Sequence, residues 1–442
     1  MNSGREKNRP LAAALVVSML VIPAVFYIFN GKIQARGKPI DVERIQANFD
    51  PSEIEFNRES LVPNPEFGQL YANLKLLPSA EGDWMDVVAA DCRTGQVTRL
   101  SHEADGSWSE TVINQDRLLP GPGGVNPVDF DGDGDIDYLV SCIGGIQPTN
   151  DLVGRVCLLK NNDGVFETID ILDSVRRVTD AQHGDFDNDG DLDLVVAVFG
   201  GLLQGQILYL ENDGNLNFTD HELMNISGAI HVPVGDFDND GDLDFAALVS
   251  QEEEEVIAFE NPGDGLVNAK RHWIFSSSNF DLGTAGMVAT DLDQDGDQDF
   301  LIALGDNLEL INNAAQPWHG VKWLENKGDW TFEAHQIASV GGIYGVAPAD
   351  FDGDGDIDVA AVSMFNDWSQ DQAASVVWLE NDGNQNFKTW QVASDPIQLS
   401  CVACGDINND GTADIVTGSF HFRRPYTKFG SIDAFLNPGR AK

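Results

Sequence analysis

The sequence predicts an all-β chain, a seven-bladed β-propeller preceded by an N-terminal transmembrane helix. Three observations lead there. An acidic nonapeptide recurs six times, each copy followed by alternating apolar residues and tight-turn signals. Helical periodicity of comparable length is absent after residue 30. One charge-free run stands ahead of everything else, at residues 11–29.

The N-terminal run comes first in the chain. "MNSGREKNRP" carries Arg5, Lys7 and Arg9, and "LAAALVVSMLVIPAVFYIF" follows. Its 19 residues are just long enough to cross a hydrocarbon core of ~30 Å as a helix. A cleaved signal has a shorter core of roughly 7–15 residues and a small-residue cleavage site. The candidate site around Ala35 is poor, so the reading is an uncleaved anchor, with a long signal peptide as the alternative. Lys32, Arg36 and Lys38 follow the run and weaken any orientation from flanking charge. The expected organisation is a cytoplasmic stub and signal anchor at 1–30, a linker at 31–52, and the propeller at 53–442. The bulk is exported in either case: anchored in the periplasm or outside the cell, or secreted if the segment is cleaved.

The repeats decide the architecture. The nonapeptides begin at Asp129, Asp185, Asp236, Asp291, Asp350 and Asp406, in steps of 56, 51, 55, 59 and 56 residues. An apolar strand enters each, and a β-rich run such as "LVVAVF" or "FAALVS" leaves it. A third run ends in a turn ("ILYLENDGN", "VVWLENDGN"), and a fourth reads "NFTDHEL", "TFEAHQI" or "NFKTWQV". Asn-Asp-Gly between alternating apolar runs is a strong hairpin signal. Four antiparallel strands per unit of this length mark a propeller blade. A degenerate unit precedes the six: "GDWMDVVAADCRTGQVTRL" aligns Asp86 with Asp137 but lacks the other aspartates. The count is therefore seven. The last unit stops after its third strand, and "EFNRESLV" offers Phe56 and Leu61 at fourth-strand spacing. Pairing the two chain ends in one blade removes an open sheet edge, so this segment should close the ring.

The nonapeptides raise a charge problem. The chain of 442 residues has 72 acidic and 26 basic residues, a net charge of −46, and 28 of the acidic ones lie in these six loops. Such a balance excludes nucleic acid, which needs a basic footprint. Hydrophobic residues at 42% with 24 Phe exclude a disordered acidic chain. Unscreened carboxylates this close would repel strongly even at an effective dielectric of ~20. In D-x-D-x-D-G-x-x-D, positions one, three, five and nine can turn oxygens to one centre, and position seven can add a carbonyl. Glycine at position six permits the sharp turn.

The expected metal ligands are Asp129, Asp131, Asp133 and Asp137; Asp185, Asp187, Asp189 and Asp193; and Asp236, Asp238, Asp240 and Asp244. The later loops offer Asp291, Asp293, Asp295 and Asp299; Asp350, Asp352, Asp354 and Asp358; and Asp406, Asn408, Asp410 and Asp414. Hard oxygen ligands in a flexible ring suit Ca²⁺ better than Mg²⁺, and zinc or copper would want His or Cys. An EF-hand would need a Glu at position 12, where Val140 and Val196 stand. A β-helix would repeat in tandem. The sequence thus predicts a seven-bladed propeller with calcium-binding loops in six blades.

With "GDFDNDGDLD" the chain resembles the FG-GAP/VCBS repeats of integrin-α-type seven-bladed propellers over roughly residues 53–442. The resemblance implies calcium bound between the first two strands of a blade, and no single function, since the family includes adhesion receptors, lectins and accessory domains of enzymes. Loop six keeps ligand-compatible Asn408 and Thr412, whereas polar Gln298 in loop four replaces an apolar anchor.

A catalytic reading has little to rest on. No G-x-S-x-G, H-E-x-x-H or G-x-x-x-x-G-K motif occurs. His221, His272 and His335 recur at one fourth-strand position, where another blade has Trp390, and so read as structural. Five cysteines, Cys92, Cys142, Cys157, Cys401 and Cys404, exclude a complete disulfide framework, and "CVAC" reads as strand packing. A ligand-binding or adhesion module for carbohydrate or protein fits best. The alternatives are a carbohydrate-active enzyme, lyase or hydrolase, as in some similar calcium propellers, and a structural surface protein. The connections between second and third strands, on the rim opposite the calcium loops, are long in blades five to seven. They carry Trp318, His319, Asn366, Asp367, Trp368, Arg423, Arg424 and Tyr426. Aromatics beside amides and arginines suit sugar faces or an acidic peptide.

Overall fold

The computed structural model describes residues 45–442 except 63–68, 80–82, 147–148, 202–203, 252–253, 280, 309–314 and 441–442. The expected transmembrane segment at 11–29 lies outside the described residues. Among the described residues no helix is long and apolar enough to cross a membrane, and the one helical element is a single 3₁₀ turn, Leu266–Asn268.

Among the described residues the strands form seven antiparallel sheets, each running from an innermost to an outermost strand. Blade one spans 71–112, blade two 122–175, blade three 178–224, blade four 229–277, blade five 284–338 and blade six 343–393. In blade four the innermost strand is broken into Ala229–His231 and Val234–Gly235. Blade seven takes Leu399–Gly405, Asp414–Ser419 and Ile432–Leu436 from the C-terminal end and Asn57–Ser60 from the other.

The closure matches the sequence expectation. Asn57–Ser60 pairs antiparallel with Ile432–Leu436, Asn57 opposite Leu436. Leu61 follows, fully buried, its N–H donating to Ile432 O at 2.9 Å. The propeller begins earlier than residue 53, however. Ser52 N–H donates to Gln391 O at 2.9 Å, Gln391 N–H donates to Asp50 O, and Ala374 N–H donates to Ala47 O at 2.7 Å. Residues 45–52 are thus laid along the outer strand of blade six rather than forming a linker. The reason is an apolar alternation, Ile45, Ala47, Phe49, that gives a short stretch one face to bury.

The core is not central. It is divided among seven clusters, each between two adjacent blades. In blade three Leu194, Val196 and Val198 face blade two, and Val195 and Ala197 face blade four. Period-two alternation on a strand buried on both faces produces this directly. At the hub, each innermost strand slips register once near its start. The residues just past these bulges are Asn73, Gly124, Asp180, His231, Gly286, Gly345 and Cys401. Glycine is needed at two of them: a Cβ on Gly124 would meet Ser141 Oγ at 2.6 Å, and one on Gly286 would meet Tyr344 O at 3.0 Å. The strands enclose a central channel of ≈ 360 Å³.

Truncating Leu61 tests the closure. Leu61→Ala should lower the unfolding free energy by about 2–4 kcal/mol in urea titration, the cost of an unfilled core site. A loss below ~1 kcal/mol would show that the seventh blade is held by other contacts.

Candidate functional site

The six acidic loops share one backbone design. The position-six glycines hold φ between 94° and 100°, and in each loop their N–H donates to the position-one carboxylate at 2.8–3.1 Å. Position four is left-handed too, which sequence reading missed. It holds Asn188, Asn239, Gln294 and Asn409 at φ 57° to 61°, and Gly132 and Gly353 elsewhere. Asn and Gly tolerate that region best, so "DFDNDG" and "DFDGDG" are two solutions to one bend. The amide of Asn188 also donates to Asp242 of the next loop at 3.1 Å, and that of Asn239 to Asp297 at 2.6 Å.

This wrapping turns carboxylates inward. Asp129, Asp131 and Asp133 each bring an oxygen within 4.8 Å of the other two, as do Asp185, Asp187 and Asp189, and Asp291, Asp293 and Asp295. In blade four the trio is Asp236, Asp238 and the position-nine Asp244. Asp129 Oδ1 and Asp293 Oδ1 are buried oxygens without a hydrogen-bond partner. Hard, anionic, unsatisfied oxygens on one centre fit a divalent cation of the calcium type. Burial, with repulsion from loop neighbours, holds the Asp187, Asp238 and Asp293 carboxyls above their ordinary range.

Position nine has a second task. Asp137, Asp193, Asp244, Asp299, Asp358 and Asp414 are all buried. In blade four Asp244 accepts Phe237 N–H at 3.0 Å and Asn261 N–H, from the third strand, at 2.8 Å. The same third-strand bond recurs from Asn161, Asn212, Asn326, Asn381 and Asn437 at 2.6–2.8 Å. Desolvation nonetheless pushes Asp193 and Asp299 up to about 6 and Asp244, Asp358 and Asp414 up to about 7.

These asparagines were legible only as turn residues. Their side chains also reach the loop of the preceding blade: Asn261 Nδ2 donates to Phe186 O at 2.8 Å, Asn326 to Phe237 O and Asn437 to Phe351 O. The signal was the recurrent Glu-Asn that closes the third strand. Its glutamates add to the repulsion on position three, Glu260 on Asp238 and Glu325 on Asp293. Blade two replaces this glutamate with Lys160, whose ammonium pairs with Asp131. In blade six Arg440 reaches Asp352 at 3.1 Å. Blade one, lacking the loop, sets Arg99 Nε 2.6 Å from Asp86. Gln298 does anchor its loop: it lies against Gly235 as Leu243 lies against Gly184. In loop six Asn408 and Thr412 both bond Asp410.

The second-to-third-strand connections stand at the other end of each blade. Those of blades five to seven are joined to one another. Arg423 donates to Leu308 O at 2.6 Å, and Lys428 to Asp371 O at 2.6 Å and Ser394 O at 3.0 Å. Trp318 Nε1 donates to Asp281 O and Trp368 Nε1 to Met364 O. Asp367 caps its own turn through Ser369 and Gln370. His319 and Asn366 are buried and hold loops: His319 Nδ1 accepts Gly342 N–H at 3.1 Å, and Asn366 Nδ2 donates to Ala374 O at 2.9 Å. What remains outward is Arg424 and, stacked at 9°, Tyr426 and Phe429, which are 41% and 44% exposed.

The fourth-strand residues pair as their periodicity implied. His221 meets Glu211, His272 meets Glu260, His335 meets Glu325, and Trp390 donates to Glu380. The five cysteines are free, with Cys401 and Cys404 on the innermost strand of blade seven.

Against known proteins, the family model described as FG-GAP-like repeat matches residues 185–247, 236–302 and 307–361. No curated protein matches the chain. Among solved structures, BBS1N crystallised with ARL6DN and soaked with mercury is 10% identical, with a TM-score of 0.51 over 88% of this chain and 98% of that one. The lead-soaked crystal is 11% identical, with a TM-score of 0.50 over 88% of this chain and 99% of the other. At these identities the likeness concerns the fold alone.

Burial pushes the His319 imidazole down to about 4. An unfolded histidine titrates near 6.5, so between those values the unfolded chain binds the extra proton. Stability is full above ~6.5 and falls as pH drops toward 4, by about 3 kcal/mol from this residue. His319→Asn keeps an acceptor for Gly342 and should flatten that part of the pH profile in denaturant titrations. An unchanged slope would place the proton elsewhere.

Proposed function

The chain is an FG-GAP repeat seven-bladed β-propeller, and from that premise we propose that it is an exported, calcium-stabilised ligand-binding module, anchored through residues 11–29. The observation that carries the reading is the rim of blades five to seven. Three consecutive long connections are fastened to one another, and that of blade seven presents Arg424, Tyr426 and Phe429 outward. Stacked aromatics held rigidly next to a guanidinium suit the apolar face of a sugar ring and its charged or hydroxyl edge. Carbohydrate is the favoured ligand class, and an acidic peptide the other.

Calcium is assigned a structural role. The unsatisfied oxygens of Asp129 and Asp293 support it, and so does recurrence blade by blade, which suits a repeated brace better than a single reaction centre. Asp185, Asp187 and Asp189, with their counterparts in the other loops, would hold the ion. Bound there it would offset two of the negative charges of each loop and so ease the position-nine anchor. The six loops are unequal, however. Lys160 already faces Asp131, Arg440 faces Asp352, and Asn408 is neutral. Blades three, four and five therefore carry the strong sites.

Two measurements test this reading. Calcium titration calorimetry on chelator-stripped protein should resolve tight sites in blades three to five and weak ones elsewhere, and Lys160→Glu should tighten the blade-two site. At calcium tenfold above its dissociation constant each tight site adds ~1.4 kcal/mol, so excess EGTA should lower the melting temperature, and Mg²⁺ should restore it poorly. Six equal sites, or a melting curve unmoved by complete metal removal, would refute the assignment.

For the ligand, a glycan array probed with the full chain in calcium should show binding without turnover. Arg424, Tyr426 and Phe429 replaced together by alanine should abolish it at unchanged melting temperature. Depolymerised glycan would favour a carbohydrate-active enzyme, and unchanged binding by the triple variant would move the site off this rim.

A further inference from the structure

The central channel has a chemistry that the rims do not explain. Its wall mixes polar and apolar groups. Asn73, Lys75, Gln182 and His231 stand among Leu74, Pro233 and Val234 on blades one to four, and blades five and six add Val288 and Tyr344.

Asp180 is already satisfied. It accepts Val232 N–H at 3.0 Å and Gln182 Nε2 at 2.9 Å, and His231 Nδ1 stands at 3.6 Å. Lys75 differs: it lines the channel, and among the described residues no ion pair or hydrogen bond reaches its ammonium. Lone cations are unexpected in a chain of net charge −46. Asn73 lies two residues earlier on the same strand, Tyr71–Leu77, and so shares its face. Its Oδ1 accepts Val125 N–H at 3.3 Å, which leaves its amide N–H groups as donors. A second cation without a carboxylate stands just ahead of the blade-three innermost strand, at the end of the hub that faces the long connections. The Arg177 guanidinium lies 5.0 Å over the Phe199 ring, and its Nε is buried without an acceptor.

We propose that the central channel is a second binding site, for a small organic carboxylate with a short apolar body. Its two oxygens accept from Lys75 and Asn73, and its carbon chain lies against half-buried Val234 and Val288. The ≈ 360 Å³ of the channel is at the small end of ligand sites and admits a molecule of a few carbons, not a polymer. The site is independent of the rim ligand and of the loop cations.

Titration calorimetry of butyrate, butyramide and inorganic sulfate into the full chain, in calcium-containing buffer, tests the proposal. Butyrate should bind saturably, Lys75→Arg should keep binding, and Lys75→Met should weaken it by about tenfold or more. If Lys75→Met fails to fold, Asn73→Leu takes its place and should weaken binding in the same sense. Butyramide binding as tightly as butyrate would overturn the role of charge, and sulfate doing so would overturn the apolar wall. Equal binding by the folded Lys75 variant, or no saturable heat from wild type up to ~10 mM butyrate, would overturn the site itself.

Discussion

One buried carboxylate per blade ties the acidic rim to the rest of the molecule. The position-nine aspartate is the first residue of its second strand, yet it accepts N–H groups from its own loop and from the end of the third strand. Removing such a group from water is costly unless its acceptors are used, and here both oxygens are. Three elements are thereby held at one point, and in blades four, five and seven the asparagine that supplies the third-strand N–H extends the tie to the preceding blade. The loop, the sheet and the blade interface then form one unit. A cation on positions one, three and five would act on that unit, because relieving repulsion in the loop relieves strain on an anchor that desolvation already pushes toward protonation.

This arrangement bears on what a sequence can reveal. The blades were legible because each strand alternates with period two and each repeat returns the same nine residues. Closure was legible because one strand was missing at one end and present at the other. The contacts between blades were not, since they depend on neighbours about fifty residues away. Asn261 reads as the start of a turn, and its bond to Phe186 O, 75 residues earlier, leaves no local trace. Nor does burial follow from residue type: His319 and Asn366 have the chemistry of ligand-binding residues, but their backbone partners, Gly342 N–H and Ala374 O, draw them inward. The segment 45–52 was missed for a related reason, because three alternating apolar residues are too few to register as a strand without Gln391 beside them.

The basic residues give the molecule a direction. In a chain with 26 of them against 72 acids, each placement is informative. Arg99, Lys160 and Arg440 lie at the acidic rim and are spent on Asp86, Asp131 and Asp352. At the opposite rim Arg423 donates to Leu308 O, and Lys428 to Asp371 O and Ser394 O. Basic side chains thus offset carboxylates at one rim and fasten connections at the other. The two rims stay a full strand length apart, since each second strand joins a loop at one end to a connection at the other.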